Sequence, residues 1–395
     1  MSFSQLPDEL IFMICEKLTS VVDLVNLSVC SKRTNLLCKD SDLKSIDDVY
    51  DIKNEENINP ALSFNKNIKL KLDLSEKDIS DFSKLGNIHT LNLSYCSDIK
   101  DVSMLGRVHT LNLYECYEIT DVSMLGNVYN LDLSYCSGIT DFSNLGNVHT
   151  LNLTGCDITD VSMLGRVNTL NLSACTGITD VSMLGNVHDL NLFNCDMSDV
   201  SMLGRVHNLN LTYCDNVSDV SNLGRVHNLN LSGCENVKDV SMLGRVNTLN
   251  LYMCNGITDF SMLENVYDLN LSYCKISDVS MLCRVHKLNL TECENVSDVS
   301  NLVGVYNLNL SGCENVSDVS MLGNVHTLNL SECYNVTDVS KLGNIYNLNL
   351  YECNRISDVS NLGNLHRLNL SGCENITDVS MLGKVKHLNL SDCFI

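Results

Sequence analysis

Apolar residues recur at intervals of nineteen or twenty residues from Leu72 onward. Each interval carries the pattern V-x-x-L-N-L-S-x-C-x-x-I-x-D-V-S-x-L-G-x, and the L-x-L triplet starts seventeen times. Alternation of apolar and polar positions in L-N-L predicts a short strand with one buried face. The Ser, Asp and Gly positions that follow predict turns. The pattern therefore predicts one strand and at least one turn per unit.

One unit places about seven apolar side chains toward a core, as in Val108, Leu111, Leu113, Cys116, Ile119, Val122 and Leu125. Their burial contributes on the order of 10 to 20 kcal/mol. Ordering twenty backbone residues costs about 20 to 40 kcal/mol. A single unit therefore cannot fold alone, and we expect the units to stack and share hydrogen bonds along a parallel sheet.

The unit matches the leucine-rich-repeat signature L-x-x-L-x-L-x-x-N/C-x-L. Its C-x-x-I-T-D portion resembles the repeats of F-box/leucine-rich-repeat proteins, and its D-V-S-x-L portion resembles bacterial internalin repeats. The unit is several residues shorter than the former, which leaves no room for a full helix. The resemblance implies an α/β solenoid: a leucine-rich-repeat horseshoe with a parallel concave β-sheet and a turn or short 3₁₀ segment on its convex side.

The first sixty residues have a different texture. Pro7, Asp8 and Glu9 predict a helix start, and Leu10, Ile14 and Leu18 share one helix face. A second helix is predicted from Asp23 and a third from Ser31. The pattern L-P-x-E-L-x-x-x-I-x-x-x-L followed by D-L-x-x-L-S-x-C-S-x-R resembles the F-box over residues 4–45.

The F-box resemblance implies that a Skp1-like adaptor, and through it a cullin, binds a defined set of side chains. These are Leu6, Pro7, Leu10, Ile14, Leu18, Leu24 and Leu27. The chain departs from the family at Arg33-Thr34, where Trp is usual. The alternative is a helical cap that covers the open end of the solenoid. We expect three regions: the F-box-like module at 4–45, a polar linker or cap at 46–68, and the repeat array at 69–395.

The net charge of the chain is −22, from 48 acidic and 26 basic residues. This balance argues against nucleic acid and anionic membranes as partners, because both are recognised largely through Lys and Arg. No stretch approaches eighteen apolar residues, and the first residues lack the features of a signal peptide. We therefore expect an intracellular, cytoplasmic protein, with the nucleus not excluded.

Sixteen of the 20 Cys occupy one register, from Cys96 to Cys393. Neighbouring strands are close enough for disulfides, whereas a straight row of parallel side chains does not converge on a metal ion. A buried ladder of free thiols that donate weak hydrogen bonds is the favoured interpretation. Eleven Asn-Leu-Ser/Thr sequons lie on neighbouring strands, where glycans would collide, and this also favours an intracellular compartment.

Asp, Asn and His also recur at fixed positions of the repeat, so that each forms a column of equivalent residues along the stacked units. The Asp before V/F-S-x-L suits an acceptor for backbone N–H groups at a helix start, with a calcium ladder as the alternative. The Asn of L-N-L points away from the core and can hydrogen-bond along its column. Nine of the ten His stand two residues before L-x-L and alternate with Tyr, which favours a stacked polar rim over a metal site.

We expect target specificity to depend on the positions of the repeat whose residue varies from one repeat to the next. The two positions after L-x-L carry large aromatic residues in some repeats, and aromatic anchors on a rigid polar surface are typical of binding faces. Isolated exposed Tyr residues often have no such role. The predicted target-binding residues on the concave face are Tyr95, Tyr114, Tyr135, Phe193, Tyr213, Tyr252, Tyr273 and Tyr351.

No catalytic constellation emerges, because every Ser, His, Cys and Asp type recurs as a column. We therefore expect a non-enzymatic protein with no cofactor and no metal. The resemblance implies a substrate-recognition subunit of an SCF-type (cullin-RING) ubiquitin ligase that binds an unknown protein target. The alternative is a repeat scaffold or host-protein decoy without a ubiquitin role. In the near-identity of its repeats the chain also resembles the F-box/leucine-rich-repeat proteins of amoebal giant viruses. This resemblance implies that the protein acts in the host cell cytoplasm.

Overall fold

The computed structural model describes residues 49–51, 71–77 and 85–393. The chain divides into two compact units, Met1–Gly177 and Ile178–Ile395. The predicted F-box-like module at 4–45, with its seven adaptor-binding side chains, lies outside the described residues.

The first unit contains a parallel sheet of seven described strands in chain order. They are β1 Val49–Asp51, β2 Lys71–Asp73, β3 Thr90–Asn92, β4 Thr110–Asn112, β5 Asn130–Asp132, β6 Thr150–Asn152 and β7 Thr169–Asn171. Each Leu of one strand pairs with the same Leu of the next, as Leu111 does with Leu131. Strand β1 comes from the segment predicted as a polar linker or cap, and it pairs with the first repeat strand.

The second unit contains eleven described strands, also parallel and in chain order. They are β8 Asp189–Asn191, β9 Asn208–Asn210, β10 Asn228–Asn230, β11 Thr248–Asn250, β12 Asp268–Asn270, β13 Lys287–Asn289, β14 Asn307–Asn309, β15 Thr327–Asn329, β16 Asn347–Asn349, β17 Arg367–Asn369 and β18 His387–Asn389. The seventeen predicted L-x-L starts therefore all fall in strands, β2 to β18.

Short 3₁₀ segments form the other side of the repeats, and the described residues contain no α-helix. In the first unit they are Leu85–Asn87, Ser103–Leu105, Ser123–Leu125, Ser143–Asn147 and Ser162–Leu164. In the second unit they are Ser182–Leu184, Ser201–Leu203, Ser221–Leu223, Ser241–Leu243, Ser261–Leu263, Ser280–Arg284, Leu302–Gly304, Ser320–Asn324, Ser360–Leu362 and Ser380–Leu382. The twenty-residue unit leaves room for one such turn and no more.

The core lies between the strands and the 3₁₀ segments. All seven inward positions predicted for the repeat that starts at Val108 are buried, with at most 1% exposure. The same columns are buried in nearly every other described repeat. Each unit therefore has the predicted fold class, a leucine-rich-repeat solenoid of parallel strands and short 3₁₀ turns.

A glycine at the end of the 3₁₀ segment allows consecutive repeats to approach closely in most of the described repeats, whereas Glu264, Cys283 and Val303 occupy this position in the others. A Cβ atom added to Gly106 would lie 2.1 Å from the carbonyl oxygen of Met124 in the next repeat. Real Cβ contacts are much longer, so that an added side chain at Gly106 would have to move this turn away from the next one.

Candidate protein-binding surface

The Asn residues of L-N-L fix the turn that follows each strand. The Asn112 Oδ1 atom accepts the backbone N–H of Tyr114 at 2.9 Å, and the same bond recurs along the column. Several of these amides also bond to one another, as the Asn210 Nδ2 atom does to the Asn191 Oδ1 atom at 2.9 Å. The predicted bonding along the column is confirmed for such pairs.

The eight predicted aromatic residues lie in the turns that follow the strands, and none of them lies in a strand. Tyr95, Tyr135, Tyr213 and Tyr273 occupy its left-handed position, with φ between 56° and 62°. Their rings are exposed, by 43 to 49%. Phe193 is also exposed, whereas Tyr114, Tyr252 and Tyr351 are half-buried.

The stacking of repeats joins these aromatic residues into clusters. In the first unit, the Tyr95 and Tyr114 rings meet edge to face at 5.0 Å and the Tyr114 and Tyr135 rings at 5.7 Å. In the second unit, Phe193 meets Tyr213 at 5.9 Å, and Tyr252 meets Tyr273 at 5.4 Å. Tyr351 interacts instead with Glu352, whose hydrogen bond and charge raise the pKa of Tyr351.

Two glycines support these clusters, and the sequence reasoning did not identify them. A Cβ atom on Gly155 would lie 2.5 Å from the ring of Tyr135 in the preceding repeat, and one on Gly233 would lie 2.4 Å from the ring of Tyr213. Each ring therefore lies directly over the backbone of the next repeat. Such rings lose little conformational freedom when a partner binds.

The charge of this surface changes along the chain. In the first unit, the Tyr114 and Tyr117 hydroxyls donate to Glu115, which lowers the pKa of Glu115 and raises that of Tyr117 to about 12. Late in the second unit, Glu292 and Glu332 occupy the same left-handed position. Partial burial and then the charges of Glu332, Glu294 and Glu314 raise the pKa of Glu292. At this left-handed position Tyr predominates among the charged and aromatic residues up to Tyr273, whereas after it the position holds Glu or Asp in four repeats and no Tyr.

The predicted rim of His and Tyr residues is a stack of nearly parallel rings. Neighbouring centroids lie 4.4 Å apart for His89 and His109 and 4.3 Å apart for Tyr129 and His149. In the second unit the same stacking continues from Tyr267 to His366. No group of three or more His, Cys, Asp or Glu residues suited to a metal ion occurs in the part of the chain that the structure describes.

The Cys column is a ladder of free thiols, as predicted. The Sγ atom of Cys136 donates to the carbonyl oxygen of Leu113 at 3.0 Å, and equivalent bonds recur in the other repeats. Burial raises the pKa of Cys136 to about 11 and that of Cys116 to about 12. One prediction is wrong: Cys393 is half-buried, because no described repeat packs over it.

The Asp column has the predicted role at the start of the 3₁₀ turns. In every described repeat the carboxylate accepts the backbone N–H of the Ser two residues later, as in Asp101 and Ser103 at 2.9 Å. These hydrogen bonds lower the pKa of Asp101 and of its equivalents. The carboxylates thus complete the turns of the solenoid.

The model of the F-box domain family matches residues 3–46. No relative was found among the curated proteins. No helix of the described residues is long and apolar enough to cross a membrane.

Three solved structures are similar to the repeat array. One is the functional domain of InlJ from Listeria monocytogenes, which includes a cysteine ladder (20% identity, 76% of this chain, 71% of that chain, TM-score 0.50). Another is the leucine-rich-repeat protein LIC12759 from Leptospira interrogans (16%, 86%, 99%, TM-score 0.51). The third is TLR13 in a complex with ssRNA13 (18%, 91%, 59%, TM-score 0.54). At these identities the similarity shows the fold alone.

Proposed function

We propose that this chain is the substrate-recognition subunit of an SCF-type (cullin-RING) E3 ubiquitin ligase and is not itself an enzyme. The observation that carries the proposal is the F-box match at residues 3–46 in front of a leucine-rich-repeat solenoid. The two together indicate a protein-interaction adaptor. The ligase role is the further part of the proposal, because an F-box binds an adaptor that in turn binds a cullin.

In the proposed mechanism the chain works by proximity. The side chains of Leu6, Leu10 and Ile14, with Pro7, Leu18, Leu24 and Leu27, contact a Skp1-like adaptor. The aromatic turns of the repeats hold a target protein near a ubiquitin-loaded enzyme, which raises the effective concentration of the reacting groups. No residue of this chain needs to take part in the chemistry, and no cofactor is required.

The turn clusters are the proposed target-binding site. Tyr95, Tyr114 and Tyr135 form the first cluster, Phe193 and Tyr213 the second, and Tyr252 and Tyr273 the third. Their rings are half-buried or exposed and present large rigid surfaces. Such aromatic surfaces are typical of binding anchors. Tyr351 lies beside the acidic residues Glu332 and Glu352, where we expect basic groups of the target.

The second candidate is a repeat scaffold or host-protein decoy without a ubiquitin role. It is favoured by one observation, the replacement of the usual Trp by Arg33-Thr34. For both candidates we expect the cytoplasm, and the resemblance to giant-virus proteins would make it that of the host cell.

The experiment is affinity capture with the full chain from the cells in which it is expressed. Leu6→Asp/Leu10→Asp/Ile14→Asp is expected to abolish recovery of a Skp1-like protein and leave the target bound, with Lys17→Asp as the matched control. Tyr95→Ala/Tyr135→Ala is expected to reduce target recovery at least about tenfold and to leave the adaptor bound. Tyr129→Ala/Tyr267→Ala, which removes equally exposed rings of the His and Tyr stack, is its control. Undiminished adaptor recovery with the triple variant would show that the ligase role is wrong and would favour the scaffold.

A further inference from the structure

A groove of about 1000 Å³ runs along the 3₁₀ side of the second unit. Five successive repeats line it; four contribute part of a Ser-Met/Asn-Leu-Gly-Arg/Asn segment, and the fifth, in which Glu264 replaces the Gly, contributes Met262 and Asn265. Because the Leu of this segment is buried, the groove is formed by the other four positions. The sequence reasoning did not single out these columns, since none of them carries recognisable chemistry in one repeat.

Backbone forms the floor of the groove. Cβ atoms on Gly204 and Gly224 would lie 2.3 Å and 2.2 Å from the carbonyl oxygens of the next repeat. At these glycines the close packing of the turns leaves no room for a side chain, and its absence leaves a channel between the residues on either side. The channel follows from the fold itself.

Exposed methionines form one wall. Met183, Met202, Met242 and Met262 are 57 to 60% exposed, with Asn222 in the remaining repeat. An apolar row of this kind is unusual on a protein surface and typically marks an interaction site. The flexible, polarisable thioethers adapt to apolar side chains of different shapes.

Arginines form the other wall. Arg205, Arg225 and Arg245 stand at the same position of three consecutive repeats and are exposed. None of them forms an ion pair with another described residue, whereas Arg284 in the same column contacts Glu264 at 3.9 Å.

No carboxylate lines the groove. The nearby Asp column is engaged by the Ser N–H groups of the 3₁₀ turns, as Asp219 is by Ser221 at 2.9 Å. Although the chain has 48 acidic and 26 basic residues, the only charged side chains that line the groove are the three arginines.

We propose that the groove binds an acidic peptide segment of a partner protein, with its apolar side chains on the methionines and its carboxylates on the arginines. Arg binds carboxylates through two parallel hydrogen bonds, and the methionine row gives the apolar side chains a surface. Four repeat steps span about 19 Å, which accommodates about six extended residues. This second binding surface does not depend on the ligase role or on the aromatic turns.

The test uses the full chain and a labelled peptide of alternating Glu and Leu residues, with binding followed by fluorescence anisotropy. We expect binding that weakens with salt, and binding at least about tenfold weaker for a Lys-Leu peptide and for a Glu-Ser peptide. Equal binding of the Lys-Leu peptide, or no binding of the Glu-Leu peptide, would contradict the proposal.

Variants locate the site. Arg205→Glu/Arg225→Glu/Arg245→Glu is expected to reduce affinity for the Glu-Leu peptide at least about tenfold, and Met202→Ser/Met242→Ser to reduce it severalfold. The matched control, Arg107→Glu/Arg166→Glu/Lys384→Glu, makes the same charge change in the same column outside the groove. An equal loss with the control would indicate a general charge effect and overturn the site.

Two further measurements test other occupants. The first is sedimentation. If the chain formed a dimer that the Arg205→Glu/Arg225→Glu/Arg245→Glu substitutions dissociate, the groove would bind a second copy of this chain, and the proposal would be overturned. Displacement of the Glu-Leu peptide by a short oligothymidylate as effectively as by unlabelled peptide would identify a general anion site and would also overturn it. We expect an unchanged sedimentation coefficient and no displacement.

Discussion

The thiol column shows how a residue type acquires its role from its surroundings. A single Cys in this sequence is compatible with a disulfide, a metal ligand or a buried apolar side chain. In the structure the Cys136 and Cys353 Sγ atoms each donate to a Leu carbonyl oxygen at 3.0 Å, and both are buried. Burial raises the pKa of these thiols, which keeps them protonated and unreactive at neutral pH.

Thiol titration checks this assignment. In denaturant and without reductant or alkylation, close to all 20 Cys are expected to react with a thiol reagent. In the native protein the fifteen buried Cys of the column are expected to stay unreactive on the same timescale, whereas the half-buried Cys283 reacts. A denatured count near four would mean that the column is cross-linked or metal-bound.

At the scale of the element, the 3₁₀ turn depends on two neighbouring features. The Asp carboxylate completes its start, and the following glycine lets the next turn approach. The Gly224 backbone has φ −63° and ψ 0°, which any residue adopts easily. Its requirement for glycine therefore comes from the next repeat and not from its own conformation.

A matched pair of substitutions separates these two causes. Gly224→Ala places a Cβ atom 2.2 Å from the Met242 carbonyl oxygen, whereas Gly383, with φ −61° and ψ −11°, has no atom within 4 Å of the new Cβ. We expect Gly224→Ala to destabilise the protein by about 1 to 3 kcal/mol. Gly383→Ala is expected to stabilise it by up to about 1 kcal/mol. Chemical denaturation measures both, and equal effects would contradict the packing explanation.

At the scale of the whole molecule, repetition multiplies small effects of pH. Burial raises the pKa of thiols along the Cys column above the ordinary value of 9.0, to about 11 in Cys136 and about 12 in Cys313. At a pH between the ordinary thiol pKa and the raised one, the unfolded chain releases protons that the folded chain retains. Ionisation therefore favours the unfolded state, so that stability is complete below about pH 9 and falls as the pH rises toward 12.

Thermal denaturation between about pH 7.5 and 10.5 tests this. The melting temperature is expected to fall steeply above about pH 9, because many thiols contribute together. Cys116→Ala/Cys136→Ala removes two of the buried thiols and is expected to make the fall shallower. A melting temperature that does not change over this range would contradict the raised pKa values.

The repeat pattern predicted most of the fold because each repeat has copies of itself as neighbours. The strands, the 3₁₀ turns, the buried columns and the Asp and His roles all followed from one unit and its period. The strand Val49–Asp51 was not predicted, since its sequence does not carry the repeat. The aromatic residues at the two positions after L-x-L lie in the turns that follow the strands, and their role in target binding stays a prediction.

The sequence by itself determined the solenoid, its core and the absence of room for a full helix within a repeat, because alternation and period are local properties. The tertiary structure decided which exposed residues act together. Residues about twenty positions apart become neighbours only when the repeats stack, as in Tyr95, Tyr114 and Tyr135 or in Arg205, Arg225 and Arg245. Net charge conceals such groups, because a chain of net charge −22 can still place three arginines side by side along one groove. Surfaces depend on which columns face each other, and only the packed repeats fix that.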